Sequence, residues 1–290
     1  MNRKILVFTM CLVTIFSLTI LAVFFSFVFY KGLNSFSLNL IFDNVSFFDA
    51  ILGKKRVFDG IFPAIVGSIL VSLLAIIFAL PIGFLSGVFI AIFASKKVKM
   101  IFSFSYELLA FIPSIVIGLF GLSVTIYLHN VFFEDLYTCL LVSSVCLAIL
   151  IIPYIVKMTE QALNCIPTQI NNSTLNLGAT KYQNLFLLQL PYISKQLFSS
   201  VVLSIGRAIE DTAVIMMTGA VAMAGIPNSI FEKYEALPFF IFYISSQYQD
   251  IDELNKGYVA AMILLIVSLS LFIFAFIIQK IALRRSGKFE

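Results

Sequence analysis

The sequence predicts an all-α integral membrane protein with six transmembrane helices. Of its 290 residues, 61% are hydrophobic and 12% are charged, and its mean hydropathy of +1.05 lies far above that of an ordinary soluble domain. The apolar residues form runs that reach the roughly 20 residues needed to cross a bilayer as a helix. The net charge is +4, and the basic residues are scattered over the ends of these runs. They therefore indicate how the spans are oriented in the membrane rather than a nucleic-acid-binding surface.

The first two predicted spans are long. Ile5–Tyr30 has a longer apolar region than a signal peptide and no A-x-A-like cleavage site. We therefore expect an uncleaved helix, with residues 1–60 forming this helix and an outer loop. The second span, Pro63–Ala94, exceeds one perpendicular crossing, so we expect it to be tilted or broken near Pro81.

Four further apolar runs complete the set of six, and the first of them is interrupted at Pro113. Residues 61–281 would thus form one membrane domain, followed by a cytoplasmic tail over residues 282–290. The four predicted spans are Ile101–Leu128, Leu136–Val156, Ile193–Ala224 and Tyr258–Ile281.

The basic residues predict the orientation of the spans, because cytoplasmic ends of membrane helices carry an excess of Lys and Arg. If both termini lie in the cytoplasm of a bacterial cell, most basic residues lie on the cytoplasmic side of the inner membrane and most acids lie on its outer side. The outer cluster Lys54–Arg56 is an exception. The inner residues are Arg3, Lys4, Lys96, Lys97, Lys99, Lys157, Lys181, Lys195, Lys280, Arg284, Arg285 and Lys288.

The polar loop, residues 157–191, is the long polar interval on this inner side. Its sequence predicts two short helices around a turn: Pro167 suits a first helical turn, Gly178 suits the residue just past a helix end, and Thr180 with Gln183 has capping-box spacing. We expect Pro191 to end the second helix. One face of that helix would carry Tyr182, Leu185, Phe186 and Gln189.

The same loop resembles a known motif. Gly178 followed after nine residues by Leu188-Gln189-Leu190-Pro191 is similar to the "EAA…G…I-x-L-P" loop of ABC importer permeases, although Asn172-Ser173-Thr174 stands where that family usually has Glu-Ala-Ala. The resemblance implies a cytoplasmic coupling loop that docks into an ATPase subunit; the alternative is a simple connector. The implied coupling residues are Thr174, Gly178, Ala179, Thr180, Tyr182, Leu185 and Phe186.

Four ionisable residues fall inside predicted spans, where each costs about 3 kcal/mol at the bilayer centre and is a functional candidate. Glu107 lies near the inner end of the third span. Arg207 is followed at helical spacing by Glu210 and Asp211, so one helical face would carry all three. Two interpretations of this cluster remain open. It is either an ion pair that holds this span against a neighbouring helix, or part of an anion pathway. The second follows from the paired N–H donors of a guanidinium, which can bind two oxygens of a tetrahedral oxyanion.

Residues 206–213, Gly-Arg-Ala-Ile-Glu-Asp-Thr-Ala, resemble the GRAIGETA segment of phosphate-specific ABC importer permeases, with Glu210 in place of a glycine. The cluster has a formal charge of −1 if both acids are ionised. Another subunit could supply positive charge, one acid could be neutral, or a carboxylate could accept the proton of the phosphate. The resemblance implies a substrate pathway of Arg207, Glu210, Asp211, Thr212 and Ser114.

Further segments extend this resemblance, which implies the type I ABC importer permease fold. Residues 107–121 are similar to the family's PSIVxGLFG segment, and residues 59–68 to its GIFPAIVGS segment. Residues 230–238 look more like the A-type permease (PstA) than its C-type partner (PstC).

The chain has no phosphate-binding G-x-x-x-x-G-K-[ST] motif, no C-x-x-C pair and a single histidine, so we expect no cofactor, metal site or enzyme activity on it. ATP would bind to a partner ATPase. The resemblance implies a phosphate importer with a second permease (PstC-like), an ATPase dimer (PstB-like), an external phosphate-binding protein (PstS-like) and no nucleic acid. The alternatives are a permease for another oxyanion or small solute, and an ion-coupled carrier or channel.

Overall fold

A computed structural model describes residues 3–43, 45, 57 and 60–286. The predicted outer cluster Lys54–Arg56 and the last four residues of the predicted tail lie outside this part of the chain. Within it the regular structure is helical, apart from an isolated bridge between Ala220 and Tyr234. The all-α prediction is confirmed.

The helices follow one another with short connections, and two of them adjoin a five-residue π-helical segment. They are α1 Arg3–Asn34, α2 Leu38–Phe42, α3 Phe62–Val88 continued by the π segment Phe89–Phe93, α4 Lys96–Phe111, α5 Ser114–Val131, α6 Leu140–Asn164, α7 Thr168–Asn176, α8 Lys181–Asn184 continued by the π segment Leu185–Gln189, α9 Leu190–Ile209, α10 Ala213–Thr218, α11 Leu237–Gln247 and α12 Ile251–Ser286.

Five segments of the described residues are long and apolar enough to cross a membrane: 6–34, 62–93, 114–131, 140–164 and 251–277. They confirm the membrane class. Helix α9 is less apolar, although its 20 residues reach about 30 Å, the thickness of the hydrocarbon layer. The sixth predicted crossing therefore depends on this more polar helix.

Two predictions about breaks are resolved by the backbone. Helix α3 passes through Pro81 without ending and becomes irregular only at its π segment, so no break occurs at that proline. By contrast, the interruption at Pro113 is confirmed: Ile112 adopts an extended conformation (ψ 126°), as residues before proline prefer, and separates α4 from α5.

The predicted single span Ile193–Ala224 is wrong. Helix α9 ends at Ile209, α10 restarts at Ala213, and the chain is non-helical from Gly219 to Ala236. The physical reason lies at Asp211, whose carboxylate accepts a hydrogen bond from the N–H of Val214 at 2.9 Å. That bond satisfies a backbone donor at the start of a new helix and ends the previous one.

Helix α6 lies at the centre of the bundle, and its side chains Leu147, Ile151 and Ile155 are almost completely buried. A Cβ at Gly83 of α3 would lie 2.7 Å from the Cβ of Ile155, and one at Gly87 would lie 2.6 Å from that of Thr159. The G-x-x-x-G pair thus lets α3 and α6 approach closely. Helix α6 also runs to Asn164, so the first residues of the polar loop belong to it.

The turn inside the polar loop agrees with the sequence. Gly178 has φ +86°, and Thr180 and Gln183 form the capping box at the start of α8. The predicted ending at Pro191 is wrong, because α8, its π segment and α9 are continuous and Pro191 stands in the first turn of α9. The helix accommodates this proline directly after the π segment, where the N–H of Leu190 donates to the carbonyl of Leu185 five residues back and Pro191 itself has no N–H to donate.

Candidate functional site

The break between α9 and α10 lies deep in the bundle. Gly118 of α5 faces α10, where a Cβ would meet the carbonyl oxygen of Ala213 and the Cα of Val214, each at 3.1 Å. Gly118 is about 20 Å from the end of α5 at Val131, at 1.5 Å per residue. It is also about 6 Å from the start of this candidate span at Ser114, so the break packs against the first turns of α5.

The predicted pathway residues divide into two groups at this break. Arg207, in the last turn of α9, has a side chain 42% exposed, and its Nη2 lies 3.7 Å from Oδ2 of Asp211, whose side chain is 3% exposed. Glu210 is exposed. The three residues are therefore adjacent, but Asp211 points into the protein while Glu210 does not.

The remaining pathway candidates lie at the edges of the break. Thr212 is half-buried and precedes α10, and its side chain makes no capping hydrogen bond. Ser114 is half-buried in the first turn of α5, one turn before Gly118. The structure places both near the break without a recorded contact to Arg207.

One face of α9 is exposed and largely polar along the whole helix, a feature that the sequence analysis missed. Its members recur every three or four residues and lead from the polar loop to the break. Charged groups inside a membrane face a water-filled cavity or other protein rather than lipid, so this stripe is not a lipid-facing surface. The α9 stripe consists of Tyr192, Gln196, Ser199, Leu203, Arg207 and Glu210.

The polar loop presents a second candidate surface, but not the face predicted for it. Tyr182 and Phe186 are 65% and 63% exposed, whereas Leu185 and Gln189 are 4% and 7% exposed. The exposed side chains Leu177 and Leu187, at 88% and 76%, extend the apolar surface. We call Leu177, Tyr182, Phe186 and Leu187 the loop surface.

The loop surface is tied to the body of the bundle by defined contacts. The ring of Tyr182 lies 5.4 Å from that of Phe93, at the end of α3. Within the loop, Thr174 of α7 donates a hydrogen bond to Asn184 of α8 at 2.7 Å, which joins the two short helices. Leu185 is buried in a cluster with Val88 and Ile193, so a displacement of the loop would be transmitted to α3 and α9.

A second group of charges joins α4 to α6, and the sequence analysis recognised only its Glu107. Lys157 pairs with both Glu107 and Glu160, and Lys99 lies 3.4 Å from Glu160. Ser103 also donates to Glu160, at 3.3 Å. The signal that could have revealed it is the three-residue spacing of Lys157 and Glu160 on one helix. Glu107 is thus a partner of Lys157 rather than a member of the α9–α10 site.

The chain matches the family described as "Binding-protein-dependent transport system inner membrane component" over residues 79–287. It is 24% identical over 214 residues to the "Probable phosphate transport system permease protein PstA" of Methanocaldococcus jannaschii, covering 74% of each chain. It is 25% identical over 203 residues to "Phosphate transport system permease protein PstC 1" of Mycobacterium tuberculosis, covering 63% of this chain and 60% of that one.

The fold is similar to that of a permease chain in a bacterial alginate ABC transporter solved in complex with an alginate-bound periplasmic protein. The TM-score is 0.62 at 17% identity, and the match covers 94% of this chain and 93% of the other. The type I ABC importer permease fold implied by the motifs is confirmed. Permeases of this kind work with a second permease, an ATPase and an external binding protein, and they are transport components rather than enzymes. The chain therefore belongs to the binding-protein-dependent transport system inner membrane component family and is a multi-pass permease of an ABC importer.

Proposed function

We propose that this permease is a subunit of an ATP-driven phosphate importer and forms half of its translocation pathway. The observation that carries the proposal is the α9 stripe, which ends at an exposed guanidinium and an exposed carboxylate beside the break between α9 and α10. A guanidinium binds tetrahedral oxyanions through paired N–H donors. The phosphate permeases among the relatives support phosphate as the anion.

Arg207→Gln tests the pathway. The variant keeps a polar, though shorter, side chain but removes the charge and the fork of donors, so we expect loss of phosphate uptake in reconstituted vesicles while the complex still assembles. The matched control is Lys96→Gln, which removes one exposed positive charge at the start of α4 and should leave uptake unchanged. Normal uptake by the Arg207 variant would refute the pathway role.

The loop surface is the proposed docking site for the ATPase. Exposed apolar side chains outside the membrane helices mark an interaction surface, and Leu177, Tyr182, Phe186 and Leu187 are all more than 60% exposed. Thr174, Gly178, Ala179, Thr180 and Leu185 shape this surface rather than forming its exposed centre. In this arrangement the loop lies in the cytoplasm, as do both termini.

Co-purification tests this docking. Phe186→Ala should release the ATPase, because interface aromatics contribute about 2 kcal/mol or more at a centre of contact. Phe111→Ala removes a ring that is 83% exposed on a different surface, and this control should keep the ATPase bound. Retention of the ATPase by the Phe186 variant would argue against this site. Mass spectrometry of the same native complex identifies the second permease, the ATPase and the external binding protein expected as PstC-like, PstB-like and PstS-like chains.

A further inference from the structure

The two acids at the end of α9 have different surroundings. Asp211 is 4% exposed, and each of its carboxylate oxygens faces a group of the protein. Oδ1 accepts a hydrogen bond from the N–H of Val214 at 2.9 Å, and Oδ2 lies 3.7 Å from the guanidinium of Arg207. Asp211 therefore starts α10 and holds Arg207 in place, and it has little capacity to bind a solute.

The surroundings of Glu210 are different. Its side chain is exposed, and among the described residues no hydrogen bond or ion pair of its carboxylate is recorded. Its backbone is still helical, with φ −91° and ψ −11°, so it continues the turn that contains Arg207. Residues three apart on a helix have Cβ atoms roughly 5–6 Å from each other. An open carboxylate and the exposed guanidinium thus flank the same point of the α9 stripe.

This pair sets a chemical requirement on any anion bound there. Arg207 offers only donors, and an ionised carboxylate offers only acceptors. The charge of Glu210 repels an anion held by Arg207, and an anion offsets this repulsion only if it carries an O–H that the carboxylate can accept. Hydrogen phosphate and hydrogen arsenate carry such a group at neutral pH, whereas sulfate does not.

We propose that Glu210 is a specificity-determining residue that admits protonated tetrahedral oxyanions and rejects sulfate. The inference rests on the proposed pathway through Arg207 and assigns to Glu210 the acceptor of the anion's O–H. This role of Glu210 also explains how an acidic side chain can lie beside a pathway for anions. The carboxylate repels every oxyanion, and a protonated one offsets that repulsion with a charge-assisted hydrogen bond.

The test is anion binding by the complete permease–ATPase complex without the external binding protein, whose own selectivity would otherwise dominate. Isothermal titration with inorganic phosphate and with sulfate gives the ratio of the two Kd values. Glu210→Gln should reduce the preference for phosphate by about ten- to hundredfold, mainly by allowing sulfate to bind, since hydrogen bonds to charged groups differ from neutral ones by this order. Glu210→Asp, which keeps the carboxylate, should retain most of the preference.

The control variant Glu134→Gln removes an exposed acid from the connection between α5 and α6 and should leave the ratio unchanged. If Arg207→Gln weakens the binding of phosphate but Glu210→Gln leaves the ratio unaltered, the specificity role is wrong and the proposed pathway stands. If Arg207→Gln has no effect on either anion, the pathway itself is wrong, and the inference fails with it.

Discussion

The buried carboxylate of Glu160 is predicted to hold α4 against the bundle. None of the described residues of α4 is buried, so apolar packing contributes little to its attachment. Glu160 is 6% exposed, and its oxygens face Lys99, Lys157 and Ser103 at 3.4, 3.8 and 3.3 Å. Glu160→Gln keeps the shape of the side chain but removes its charge. We expect the variant to be less stable, because two cations then lose their common anion.

The burial of the three charged groups determines how much stability the Glu160→Gln variant loses. Removal of one partner from a fully buried ion pair costs about 3–5 kcal/mol. The side chains of Lys99 and Lys157 are 36% and 27% exposed, so water compensates part of the loss. We therefore expect a decrease of about 1–3 kcal/mol in the free energy of unfolding. For a chain of this size that corresponds to a decrease in Tm of about 2–10 °C.

A thiol-reactive dye can follow the unfolding once the exposed Cys11 and Cys165 have been blocked, because Cys139 and Cys146 are free and buried and become accessible as the bundle opens. Purified protein in detergent would be heated at a fixed rate. The control is Glu107→Gln. The Glu107 side chain is 52% exposed, and within the described part of the chain its one recorded ion pair is with Lys157, so the variant should cost less than about 1 kcal/mol. Equal decreases in Tm for the two variants, or no decrease for Glu160→Gln, would refute the claim that the buried Glu160 contributes more to stability than the exposed Glu107.

Three further substitutions test the packing and capping contacts. Gly118→Leu places a side chain against the backbone of Val214 and should cost about 1–3 kcal/mol, measured by the same thermal assay. Thr180→Ala removes the capping box and should reduce the protection of α8 amides in hydrogen exchange by about 1 kcal/mol. Ser68→Ala removes the acceptor of the Leu237 N–H, a buried bond of 2.7 Å, and should lower the free energy of unfolding by about 1–3 kcal/mol.

Matched variants separate these effects from general disturbance. Leu119→Ala changes the 55% exposed neighbour of Gly118 and should alter Tm much less than Gly118→Leu. Thr180→Ser keeps the capping oxygen and should preserve amide protection. A Gly118 variant as stable as the Leu119 control would contradict the close contact of α5 and α10. Unchanged stability of the Ser68 variant would show that the bond to Leu237 contributes nothing.

Local features of the chain were predictable where they depend on neighbouring residues alone. Pro113 separates two helices because it restricts the residue before it, and Gly178 adopts a positive φ that other residues avoid. The predicted helical spacing also placed Arg207 next to Asp211. By contrast, the expected face of α8 was wrong: its π segment turns Leu185 into the protein, and Phe186 remains exposed.

The sequence by itself determined the membrane class, most of the spans, the turn in the polar loop and the residues of the charged cluster. Hydropathy, periodicity and capping depend only on residues that are close together in the sequence. Only the tertiary structure decided that Asp211 is buried and Glu210 exposed, and that Glu160 lies beside Lys99 on another helix. Burial and ion pairing depend on which helices cover each face. That arrangement is set by packing between segments far apart in the sequence.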